Sequence, residues 1–138
     1  MLRQVRRFLE LNAEGRFAMW HRGSDDHAPK TSNRAGVRRV LNEDGEPAKT
    51  NRRLGAEYGD RMPVALGDDM SFEYFILTET FKVEVCQGFD HKTVARVLLD
   101  HGCLIPDKGR AFDCRPRLPG IGNTWCYRVP PTIFELDF

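Results

Sequence analysis

The chain has 138 residues, 41% of them hydrophobic and 30% charged, with a mean hydropathy of -0.50. That size fits one domain, and the composition excludes collagen-like, disulfide-scaffold and disordered classes. With 21 Lys and Arg against 20 Asp and Glu the formal charge is +1, so tight polyanion binding needs a local patch rather than a global field. No run of about 18 apolar residues occurs, and charge interrupts the first ten residues too often for a signal peptide. The expected location is the cytoplasm.

Leu2, Val5, Phe8, Leu9 and Asn12 recur at spacings of three and four with Arg3, Arg6, Arg7 and Glu10 between them, which predicts an amphipathic helix that Gly15 ends. Residues 16–21 follow as a short strand carrying Phe17, and Arg22 to Ser32 read as a loop. A second strand is expected over 34–41, with Val37, Val40 and Leu41. Residues 42–60 lack apolar periodicity and read as a long surface loop. Ser71 to Leu77, aromatic and branched, is the clearest strand.

From Thr78 the pattern becomes helical. Phe81 and Val85 lie one turn apart, Gly88 stands at a left-handed cap position, and Asp90 is an N-cap for a helix with Val94, Val97 and Leu98 on one stripe and Gly102 at its end. Cys103 to Ile105 predicts a short strand. Residues 110–118 and 124–129 then predict a β-hairpin whose tip is Pro119 to Asn123. Two helices and a hairpin follow the order of a winged helix, although any helical pair shows the same punctuation. The expected fold is therefore α+β: an N-terminal helix and small sheet over 1–77, then a winged-helix-like unit over 78–138, in one compact domain. The predicted core comprises Phe17, Phe75, Leu77, Phe81, Val85, Val94, Val97, Leu98, Leu104, Trp125 and Tyr127.

Cys86, Cys103, Cys114 and Cys126 contain no C-x-x-C spacing and lie in apolar segments, so they read as reduced core thiols. His21, Asp25, Asp26 and His27 form the densest set of potential metal ligands, but in a Gly, Ser and Asp loop they read as a solvated turn. No metal or cofactor is expected. A phosphate-binding Gly-rich loop and a Gly-x-Ser-x-Gly elbow are both absent. Cys86 and His91, a Cys/His proximity, fall on two predicted helices, and the chain is expected to be non-catalytic.

Residues 88–128 carry Lys92, Arg96, Lys108, Arg110, Arg115, Arg117 and Arg128 against four aspartates, a local surplus of three positive charges. Lys92 and Arg96 share a helix face, and Arg115 and Arg117 alternate to one side of a strand, as a phosphate-facing surface requires. A solvated face is the alternative.

Five segments, Phe8 to Phe17, Asn33-Arg-Ala-Gly36, Phe81 to Asp90, Val94 to Leu104 and Cys126 to Val129, are distributed along nearly the whole chain. In their order and spacing they resemble the C-terminal region of helicase-like and primase-associated replication proteins of integrative elements and phages. The resemblance implies a winged-helix or helix-turn-helix module that follows an ATPase and helps hold it on DNA. The ATPase portion itself is absent, and the family's Gly-Glu-Ser-Arg-Phe appears here as Ala13-Glu-Gly-Arg-Phe17, without the serine. Met1 is then either a native start or an internal boundary of a longer protein. DNA is the expected partner. A protein-interaction module docking on the parent ATPase or a replication partner is the alternative, favoured by the eight positive and eight negative charges that cancel over 78–138.

Overall fold

A computed structural model describes residues 2–20, 34–42, 46–47 and 71–136. The loop read over Arg22 to Ser32 lies outside these residues, as does most of 42–60. In chain order the elements are α1 (Leu2–Arg16), β1 (Phe17–Met19), β2 (Gly36–Leu41) and β3 (Ser71–Leu77). A helical turn, Thr78–Thr80, then runs into the π-helical Phe81–Val85, together α2. They are followed by α3 (His91–Asp100), β4 (Arg117–Leu118), β5 (Gly122–Asn123), β6 (Cys126–Val129) and a 3-10 turn, Pro131–Phe134. The architecture is α+β.

The strands β1, β2, β3 and β6 form one sheet in that spatial order, the first pair parallel and the others antiparallel. Strand alternation gives the sheet two unlike faces. Tyr74, Ile76, Tyr127 and Val129 face the main core, where Val5 and Leu9 of α1, Phe81 and Val85 of α2, and Val94 and Leu98 of α3 are buried. Aromatic contacts lock this layer: Phe17 meets Tyr74 edge-on at 5.0 Å, and Phe81 stacks on Tyr127 at 3.9 Å. On the other face Val37 and Phe75 pack with Cys114, Leu118 and Cys126. Both faces of β3 are thus covered, which is why its residues 73–76 are all buried.

α1 runs through Gly15, where a stop was expected, to Arg16. Tertiary bonds hold that last turn: the Arg16 carbonyl accepts from the Ala35 N–H at 2.7 Å, and its guanidinium makes two 2.7 Å bonds to Glu84 of α2. The end of α2 and the start of α3 follow the predicted punctuation. Gly88 has φ +88, and the Asp90 carboxylate accepts from the Thr93 N–H at 3.1 Å and from its hydroxyl at 3.0 Å.

Those bonds make acid stability testable. The side-chain bond from Arg16 holds the Glu84 carboxyl below its ordinary range, and the bonds from Thr93 do the same for Asp90. A depressed folded-state pKa contributes stability that is complete above the unfolded value, near about 4, and lost as pH falls through the lower folded value. Glu84→Gln is therefore expected to lower the urea midpoint at pH 7 and to match the wild type at about pH 2. An equal deficit at both pH values would show that the change acts through packing instead.

Three expectations need correction. No strand forms over Cys103 to Ile105, where the Ile105 N–H makes a single 2.9 Å bond to the Arg128 carbonyl outside any ladder. The hairpin of 110–118 with 124–129 is cut short: β4 pairs with β5 over Arg117↔Asn123 and Leu118↔Gly122, Cys114 meets Cys126 in a single bridge, and β6 forms its ladder with β3. Burial decides this, since Tyr127 and Val129 reach the main core only from a strand of the sheet. Trp125, predicted in the core, is 39% exposed, because it precedes the β6 ladder and escapes its alternation. Leu77 and Val97 are partly buried, and the remaining predicted core residues are buried.

Candidate nucleic-acid interface

The segment from Pro106 to Trp125 is built from turns. Asp107 to Arg110 closes with the Arg110 N–H donating to the Asp107 carbonyl at 2.9 Å, and Gly109 takes φ +84, a value that the third position of such a turn demands. The Asp107 carboxylate then accepts the Arg115 N–H at 2.8 Å, fixing the path of the chain into β4. Along that path Leu118 turns inward and is 1% exposed, while Arg115 and Arg117 turn outward.

Two cationic side chains of this segment meet the Trp125 ring. The Arg110 guanidinium lies 4.2 Å over its ring and that of Arg115 lies 5.7 Å away, both within cation–π range. Arg110 is also bidentate to Asp113, at 2.8 and 3.1 Å, which raises its pKa. The Thr78 hydroxyl donates to the Trp125 carbonyl at 2.9 Å, so the start of α2 anchors this ring's backbone. Lys108, in the turn, is exposed.

The remaining predicted site residues lie on other elements. Lys92 and Arg96 occupy the exposed side of α3 one turn apart, opposite buried Val94, Ala95 and Leu98. Arg128 projects from β6 onto the sheet's second face, where it bonds Glu73 at 2.9 and 3.1 Å. Arg110 and Arg128 therefore spend their charge inside the molecule. Lys92, Arg96, Lys108, Arg115 and Arg117 have no ion-pair partner among the described residues, which leaves their charge for an external anion.

Sequence reasoning missed three features. Glu73 is 1% exposed and bonded by both Arg39 and Arg128; its signal was a lone carboxylate between Phe72 and Tyr74 of an apolar strand. Trp125 is a surface ring beside arginines, and Thr124 and Asn123 before it were the only hint. Arg3 and Arg7, i and i+4 on α1, line an open groove of about 520 Å³ with Gln4 and Gln87. Gln4 donates to the Val85 carbonyl at 3.1 Å there, and Gln87 holds φ 48.

His21, Asp25, Asp26 and His27 lie outside the described residues. Among the described residues no group of three or more His, Cys, Asp or Glu could hold a metal ion. No described helix is long and apolar enough to cross a membrane. Comparison with protein-family models, curated proteins and solved structures finds no match in any of the three.

Proposed function

We propose that this chain is a non-catalytic DNA-binding domain, the accessory C-terminal part of a helicase-like replication protein of the kind it resembles. The observation that carries this reading is the exposed Arg115 at the surface ring of Trp125, with Lys108 and Arg117 exposed on the same segment of chain. Unpaired cations neutralise phosphates, and an exposed indole offers a stacking surface to an unstacked base. In winged-helix terms α2 and α3 are the helix pair, and the segment holding β4 and β5 is the wing, with Lys92 and Arg96 on the second helix. The protein-interaction reading draws on exposed Val83 and Phe89, at 70% and 47%, beside the junction of α2 and α3, and its partner would be the parent ATPase.

Fluorescence anisotropy with single-stranded, duplex and forked DNA at about 50 and 200 mM salt separates the two readings. Salt-sensitive binding is expected, and the Arg115→Glu, Arg117→Glu double variant is expected to weaken it more than about tenfold with an unchanged thermal midpoint. The Lys92→Glu, Arg96→Glu pair reports whether α3 shares the surface, with a loss of the same order expected. No binding of any DNA form at micromolar protein would overturn the proposal in favour of the interaction module.

A further inference from the structure

Cys114 and Cys126 stand opposite one another on antiparallel segments and exchange both backbone hydrogen bonds, each 2.9 Å. Pairs bonded in this way hold their Cα atoms about 5.5 Å apart, a separation that a disulfide spans. Their side chains converge as well, with Sγ to Sγ at 3.6 Å. Apolar packing keeps them there, because both sulfurs belong to the cluster of Val37, Phe75 and Leu118. An approach of roughly 1.5 Å between the sulfurs completes a covalent bond without moving either segment.

We propose that Cys114 and Cys126 are an oxidisable dithiol that a low-molecular-weight disulfide, such as oxidised glutathione, converts to an intrachain disulfide. The other two cysteines are unlike this pair. Cys86 and Cys103 lie in the main core, where the Cys103 thiol donates to the His101 carbonyl at 3.6 Å, and burial pushes the Cys86 thiol up to about 11 and raises that of Cys103. At the pair the two sulfurs share one hydrogen bond in which either thiol can donate, so whichever sulfur is the thiolate attacks first.

In the first step the thiolate of one cysteine of the pair attacks one sulfur of glutathione disulfide; that S–S bond breaks, and the departing glutathione thiolate takes up the proton that cysteine lost. The other cysteine then gives up its proton, and its sulfur displaces the second glutathione from the first, which leaves as a thiol with that proton. Two protein thiols are oxidised and one glutathione disulfide is reduced to two thiols. Access comes from local opening of the stretch between the Asp107 turn and β4, which has no ladder of its own. The new bond closes residues 115–125 into a loop and staples β4, β5 and Trp125 to the sheet.

The test equilibrates the full chain in glutathione buffers from fully reduced to fully oxidised, quenches with acid, alkylates after denaturation, and reads intact mass and peptide map. The expected oxidised product lacks two hydrogens, takes up alkyl groups on two of its four cysteines, contains a Cys114–Cys126 cross-linked peptide, reverts with dithiothreitol, and melts at a higher temperature than the reduced chain. Four alkylated cysteines at every ratio, or a bridge that includes Cys86 or Cys103, would overturn the proposal. Cys114→Ser and Cys126→Ser are each expected to form no intrachain disulfide at any ratio; a bridge in either variant would overturn the pairing.

Discussion

Replacing Glu73 by Gln is expected to cost about 3 kcal/mol of stability, a fall of roughly 10 °C in Tm for a chain of this size. Glu73 is 1% exposed in the central strand, and its two carboxylate oxygens divide between two cations. Oε1 receives Arg39 from the neighbouring β2, its direct partner in the register, and Oε2 receives Arg128 from β6. Arg39 also lies 4.4 Å over the Trp20 ring and 5.3 Å over Phe75, and Arg128 lies 5.7 Å over Phe75. Removing the negative charge leaves two guanidinium groups facing an uncharged amide on the same partly covered surface. The figure sits at the lower end for a broken buried pair because the two arginine side chains are 20% and 32% exposed and can turn toward water. Urea denaturation with an unchanged slope reads this effect directly. Replacing all three groups together, as Glu73→Leu with Arg39→Met and Arg128→Met, should recover most of the loss, since apolar substitutes need no charge compensation. A Glu73→Gln chain within about 0.5 kcal/mol of the wild type would show that the cluster contributes nothing net.

Gly36→Ala is the second large effect, again about 3 kcal/mol, and its origin is space rather than charge. A Cβ at this position would lie 1.8 Å from the Phe75 carbonyl oxygen and 2.9 Å from its carbon. Both atoms belong to the backbone, so no rotamer change can relieve the overlap; β2 and β3 would have to part where Gly36 pairs with Ile76. The neighbourhood gives little slack. Ala35 is fully buried, donates to the Arg16 carbonyl, and accepts from the Leu77 N–H at 2.9 Å. Gly36 also starts the parallel pairing with Phe17 of β1, so the damage spreads to the sheet edge. The expected result is a large drop in the denaturation midpoint, together with loss of amide exchange protection in β2 and β3. A midpoint like that of the wild type would mean the strands approach less closely than described. Gly36 thus has a steric reason to be glycine.

Local rules recovered α1, α3, β2 and β3 because each has a short-range cause. Val5 and Leu9, and Val94 and Leu98, lie one turn apart and are buried, Asp90 caps α3 as its position suggested, and β3 is a strand over the expected residues. What those rules could not supply was the choice of partner. Alternation placed Trp125 with Tyr127, yet only Tyr127 belongs to the β6 ladder, and Trp125 is left at the surface to meet Arg110 and Arg115.

The candidate site divides along the same line. Lys92 and Arg96 were legible as neighbours on a helix, and Arg115 and Arg117 as neighbours on one side of an extended segment, because helical and extended backbones have fixed periods. Arg128 looked equally available in the sequence. Only the register of β6 against β3 placed it on the face of Glu73, 55 residues away in the chain, where its charge is already matched.

Length, charge balance and hydrophobic periodicity by themselves determined an α+β chain with an amphipathic first helix, a helix pair and a basic segment after it, since these depend on residues within a few positions of one another. Tertiary structure alone decided that β6 joins the sheet, that Glu73 takes two of the arginines, that Trp125 faces outward and that Cys114 meets Cys126. Each of those outcomes rests on contacts between distant residues, and strand pairing is chosen by which apolar faces the whole chain can bury at once.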